Sequence, residues 1–131
     1  MVKIWSGIKQ VSHYSADTTK FYASNIGTSS QNYGANVITT VNGQKVLVIV
    51  NLSIDFDTSE ADIECWIRRD STNISDSFHV GNNSDSSYYA NLTIALVDTP
   101  GAGTHYYYAR VRADEANTDI DSGSVTVIAL S

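Results

Sequence analysis

Residues 88–130 alternate apolar and polar side chains with a period of two. A chain that does this repeatedly buries its apolar side chains as strands of a sheet. In residues 88–97, Tyr88, Ala90, Leu92, Ile94 and Leu96 share one face, and Asn91 and Thr93 share the other. Asp98-Thr99-Pro100-Gly101-Ala102-Gly103 then breaks the run, because proline fixes φ, glycine permits φ > 0 and an aspartate can cap the turn. The return through residues 105–112 sets Tyr107, Ala109 and Val111 against Tyr106, Tyr108, Arg110 and Arg112. Residues 124–130, Ser-Val-Thr-Val-Ile-Ala-Leu, form a last β-branched run expected to be locked inside a sheet.

The same pattern recurs upstream. Val37, Thr39 and Val41 lead into Asn42-Gly43, and Lys45-Val46-Leu47-Val48-Ile49-Val50 follows. Asn-Gly suits a two-residue hairpin in which both central positions take φ > 0. The second arm is apolar on consecutive positions, so it either sits centrally or turns one face to the core and the other to a second subunit. Val46, Val48 and Val50 are therefore candidate interface residues. Another strand is expected over residues 63–68, with Cys65 facing the same way as Ile63 and Ile67. Residues 20–23 and the pair Phe78 and Val80 are shorter candidates. Residues 25–35, 55–62, 70–76 and 81–87 are polar turns or loops. Residues 2–5 and 10–14 are short, weakly alternating segments, an arm or edge strands. Trp5 among them either plugs one end of the core or anchors a neighbour. Ser, Thr and Asn make up 39 of the 131 residues, and no segment of helical length has a 3.6-residue period. The expected fold is all-β: an antiparallel two-sheet sandwich of about seven or eight strands. It comprises an arm over residues 1–15 and a single domain over residues 16–131.

Charge and composition narrow the functions. A net charge of −6, with only 8 Lys and Arg, argues against a nucleic-acid or anionic-membrane partner, because phosphate binding needs clustered cations. The pairs Arg68-Arg69 and Arg110/Arg112 are flanked by Asp70 and Asp114 and read as a solvated strand face. Cys65 is the sole cysteine, so no intrachain disulfide forms, and it reads as a small buried hydrophobe rather than a nucleophile. The first residues lack the apolar run of a signal peptide, and no 18-residue apolar segment exists to span a membrane. Assembly in a cytoplasm is the expectation.

Asp55, Asp57 and Ser59 resemble the start of a calcium loop, but Glu60 stands where its glycine belongs and Trp66 where its bidentate glutamate belongs. A looser site would use Asp55, Asp57, Glu60 and Asp62; a solvated acidic turn is the simpler reading. His13, His79 and His105 lack metal-ligand spacing, and no serine stands in a nucleophile elbow. Asp114, Glu115, Asp119 and Asp121 cluster in one loop without a buried partner to make a glycosidase pair. No metal, cofactor or catalytic residue is expected, and the chain reads as a non-enzyme.

If Cys65 and Tyr107 face the core, Trp66, Tyr106 and Tyr108 lie on an outer face. Exposed rings stack on sugars or bury against another subunit. The subunit interface is favoured, because it explains the two-faced residues 46–50 as well. The glycan alternative would use Trp66, Tyr106 and Tyr108 with a polar neighbour such as Asn82.

The order of an apolar strand, DTPGAGTHYYYARVRAD and a closing SGSVTVIAL resembles the C-terminal β-sandwich domain of tailed-phage virion proteins, found in head-surface and tail-fibre proteins. About 45 residues carry the resemblance, with a looser match over residues 37–54. It implies a jelly roll of the trimeric, tumour-necrosis-factor-like kind and a place in a virion. A chain starting so close to its first strand has no shaft, which fits a trimeric capsid decoration (cement) protein on the head. The arm, through Val2, Ile4 and Trp5, would then meet the major capsid protein. The alternative is a tail-fibre or tail-tip module that binds a host cell-surface glycan.

Overall fold

A computed structural model of the chain describes residues 17–56, 61–81, 88–114 and 118–130. The calls on Val2, Ile4, Trp5 and Asn82, and the arm itself, lie outside the described residues.

Nine strands occur among those residues, and none is helical. They are β1 (Asp17–Ala23), β2 (Gln31–Thr40), β3 (Lys45–Phe56), β4 (Asp62–Arg69), β5 (Thr72–Asn73), β6 (Phe78–Gly81), β7 (Tyr88–Asp98), β8 (Gly103–Ala113) and β9 (Thr118–Leu130). One sheet runs β1-β9-β3-β7. The other runs β2-β8-β4, with β5 and β6 pairing successive parts of β4's far edge. Every pairing is antiparallel. With the two-residue β5 set aside, successive strands alternate between the two sheets except at β4-β6, and the terminal β9 lies inside the first sheet. This is the strand order of a jelly roll.

Period-two burial decides which side chains meet between the sheets. From β3 come Val46, Val48, Val50, Leu52, Ile54 and Phe56; from β4 come Ile63, Cys65 and Ile67. Strand β8 adds Tyr107, Ala109 and Val111, and β9 adds Ile120, Val125, Val127 and Ala129. Strand β9 is held on both edges, by β1 and β3, as its apolar run foretold.

One turn differs from the sequence reading. Asn42-Gly43 does not close a hairpin: β2 pairs with β8, and β3 with β7 and β9, so the turn carries the chain from one sheet to the other. Only Gly43 has positive φ (79°), so the turn is not the I′ type that requires it at both central residues. The Gln44 N–H donates to the Val41 carbonyl (3.1 Å), and the Gln44 side-chain oxygen accepts from the Val41 N–H (3.1 Å). Asp98–Gly103 likewise joins β7 and β8 across the sheets. The expected 25–35 loop is also shorter, since β2 already begins at Gln31 and bulges between Tyr33 and Asn36.

Candidate functional site

Alternation places Val46, Val48 and Val50 in the sandwich interior, each fully buried within this one chain. Their assignment to a subunit interface is therefore corrected: the other face of β3, carrying Leu47 and Ile49, is the one that looks outward. Register sets Leu47 between Val97 on β7 and Ile128 on β9, and Ile49 beside Ala95. Together with Leu130 these residues form an apolar outer face on the first sheet, where Val97 is 55% exposed.

The second sheet has an outer face of different chemistry. Trp66, Tyr106 and Tyr108 all lie on it: Trp66 and Tyr108 are half-buried, and Tyr106 is exposed opposite Val37 of β2. Strand pairing sets Tyr108 opposite Arg68, Trp66 opposite Arg110, and Arg112 opposite Glu64. The Arg112 guanidinium sits 5.9 Å from the Trp66 ring centroid, close enough for cation–π attraction, while its Nε donates to Glu64 Oε2 (2.6 Å). Arg110 donates to Asn32 Oδ1 (2.8 Å) and Arg68 to Asn73 Oδ1 (3.1 Å). Polar partners thus hold the guanidinium groups extended along the face, leaving aromatic surface between them. Asn82, the polar neighbour of the glycan alternative, is not among the residues placed.

At one end of this face Thr28, Asp62, Glu64, His79, Arg112, Ala113 and Asp114 line a cleft of about 230 Å³. His79 Nδ1 lies 2.8 Å from Asp62 Oδ2, and its Nε2 lies 3.6 Å from Glu64 Oε1. The hydrogen bond to Asp62 raises the His79 pKa above its ordinary value. The sequence reading missed this cluster, because Asp62 and His79 are 17 residues apart and Arg112 is far from both. A signal was present: Asp62, Glu64, Trp66 and Arg68 alternate on one face of β4.

Arg69 is not on a solvated face. Its Nη1 donates to both Asp98 carboxylate oxygens (2.7 and 2.6 Å), and the buried Tyr107 O–H donates to Asp98 Oδ2 (2.7 Å). Burial, then the bond to Asp98, pushes the Tyr107 phenol far up. Burial alone pushes the Cys65 thiol up to about 12, so it stays protonated. The Asp-x-Pro-Gly turn is thus tied to the end of β4 through its aspartate. Of the loose calcium-site residues, Asp62 is engaged with His79, and residues 57–60 lie outside the description.

No protein-family profile matches the sequence, and no characterised protein matches it by sequence. Among solved structures the chain is similar to a protein of infectious bursal disease virus strain Gx, at 14% identity and TM-score 0.44, over 87% of this chain and 32% of that one. A TNF protein, Eiger, from S. frugiperda is similar at 11% identity and TM-score 0.41, over 86% and 94% of the two chains. The enzymatically active domain of tailspike protein 4 of bacteriophage CBA120 is similar at 11% and TM-score 0.32, over 99% and 21%. The chain thus spans about a third of the bursal disease virus protein. The jelly-roll assignment rests on the strand order itself.

Proposed function

We propose that the protein is a non-enzymatic structural component of a virion: a homotrimeric jelly roll that seats on the outer surface of the head, against the major capsid protein. The observation that carries self-association is the pair of unlike outer faces. One sheet presents Leu47, Ile49, Val97 and Ile128; the other presents Val37, Trp66, Tyr106 and Tyr108. A ring of three is built from heterologous contacts, in which each subunit offers two different patches. Two dissimilar adhesive faces can make such heterologous contacts, and the ring closes where the engaged patches are inclined to each other rather than directly opposed. The virion assignment draws on the resemblance of the DTPGAGTHYYYARVRAD and SGSVTVIAL segments to tailed-phage virion domains. Many weak contacts repeated over a symmetric shell would supply avidity without a large contact per subunit.

Light scattering should give a mass that is a multiple of three 14.2 kDa chains, and Tyr106→Lys should lose the threefold assembly while keeping the β circular dichroism spectrum. Purified protein mixed with heads that lack it should co-sediment with them and raise their melting temperature. A tail-fibre module that binds a host-surface glycan is the second reading, favoured by Trp66 flanked by Arg110 and Arg112. No co-sedimentation, together with saturable glycan binding lost in Trp66→Ala, decides for it.

A further inference from the structure

The four sheet edges of the sandwich are not alike. An open edge presents unpaired N–H and C=O groups, and proteins ordinarily blunt it with charge, bulges or brevity. Strand β1 carries Asp17 and Lys20 and shifts register between Phe21 and Ala23. Strand β2 bulges between Tyr33 and Asn36. The edge beyond β4 is split between strands of two and four residues.

Strand β7 has none of these devices. It runs 11 residues in unbroken register with β3, and none of the described strands pairs with its other edge. From Tyr88 to Val97 it contains no charged residue, glycine or proline. Its one charge, Asp98, is occupied by Arg69 and Tyr107. Beneath this edge a groove of about 470 Å³ opens between the sheets, lined by the apolar Ile74, Phe78, Ile94 and Leu96 and by the polar Ser75 and Asp76 among others. Phe78 is 43% exposed there.

We propose that the β7 edge is a contact between two copies of this chain, joined antiparallel across a twofold axis so that two four-stranded sheets become one of eight. An isologous contact requires the strand to face itself, and an uncharged strand does so without like-charge opposition. Full overlap of Tyr88–Asp98 with its copy places Thr93 on the axis and Asn91 opposite Ala95, and sets Asp98 apart from its twin. An 11-residue strand is roughly 37 Å long, and the side wall of two sheets is on the order of 20 Å deep. Complete coverage of that wall would bury at most about 700 Å² per copy, just short of the roughly 800 Å² per partner of a stable complex. The contact uses the backbone edge of β7 rather than the outer faces assigned to the trimer, with Val97 bordering both, so threefold and twofold contacts together would join trimers to one another.

The test is mass by analytical ultracentrifugation, with Thr93→Lys to break the pair and Tyr106→Lys to break the ring. Thr93 is exposed, and its substitution sets two lysines against each other on the axis. With both contacts present, the unmodified protein holds six chains or a larger multiple of three, Thr93→Lys three and Tyr106→Lys two. If the trimer reading alone fails, the unmodified protein holds two chains and Thr93→Lys one, which still upholds the pair. Three chains in both the unmodified protein and Thr93→Lys overturn the pair and leave the trimer. A single chain throughout overturns both. Exchange protection, in a single-chain Thr93→Lys variant, of the alternate β7 amides that point away from β3 would show another segment on the edge and would also overturn the pair.

Discussion

At the scale of single residues, Asp98 links three strands. Its carboxylate holds the half-buried Arg69 guanidinium at the end of β4 and the buried Tyr107 phenol of β8, while its own backbone ends β7. Asp98→Ala would leave a desolvated cation and a buried hydroxyl without their acceptor. Because Arg69 keeps some contact with water, we expect a loss of about 2–3 kcal/mol rather than the larger figure for a fully buried pair. Urea unfolding of the two proteins checks it; an unchanged midpoint would show that the linkage contributes nothing. Phe21 is the second such residue. Its ring stacks on Tyr33 at 5.7 Å and lies over Gly34 and Gly123, where an added Cβ would overlap the ring. Gly123→Ala should cost about 1–3 kcal/mol by overpacking, and Phe21→Leu in the same chain should recover part of it.

At the scale of elements, β3 shows what alternation does to a strand that is apolar at every position. Val48 and Ile49 are indistinguishable by hydropathy, yet one is sealed between the sheets and the other faces outward. Val48→Asp should prevent folding, because no partner waits in the core for its charge. Ile49→Asp should leave the circular dichroism spectrum unaltered and reduce the mass of the assembly. Equal effects from the two would contradict the assignment of faces. The Asn42-Gly43 turn supplies a smaller test. Gly43 sits at φ 79°, so Gly43→Ala should cost about 1 kcal/mol in thermal unfolding, and Asn42→Ala less, because Asn42 does not occupy the left-handed region.

At the scale of the whole molecule, two surface carboxylate–histidine contacts make stability depend on pH. Burial pushes the Asp70 pKa up, but hydrogen bonds from His105 and the Tyr106 N–H outweigh it and hold the carboxyl below its ordinary 3.8. That contribution is present above about pH 4 and is lost as pH falls through the folded value. His79 is raised above 6.5 by Asp62, so its contribution is full below about pH 6.5 and fades as pH rises through the folded value. Urea midpoints should therefore be flat between pH 5 and 6 and decline on either side. His79→Gln should remove the alkaline decline alone. Both pairs are solvated, so the changes are small.

The all-β class, the inward faces of β7 and β8, the place of β9 inside a sheet, the burial of Cys65 and the common outward face of Trp66, Tyr106 and Tyr108 were all legible in the sequence, because a two-residue period is a local property that survives any arrangement of the strands. Which strands pair was not. The Asn42-Gly43 and Asp98–Gly103 turns have the composition of hairpins, yet each crosses between sheets, because a turn sets a change of direction and the competition among all strands for partners sets the neighbour. The same limit hid which face of β3 is the core, that Arg69 reaches Asp98, and that His79 meets Asp62 and Glu64. Each of these contacts joins residues far apart in the chain, and only the closed sandwich brings them within reach.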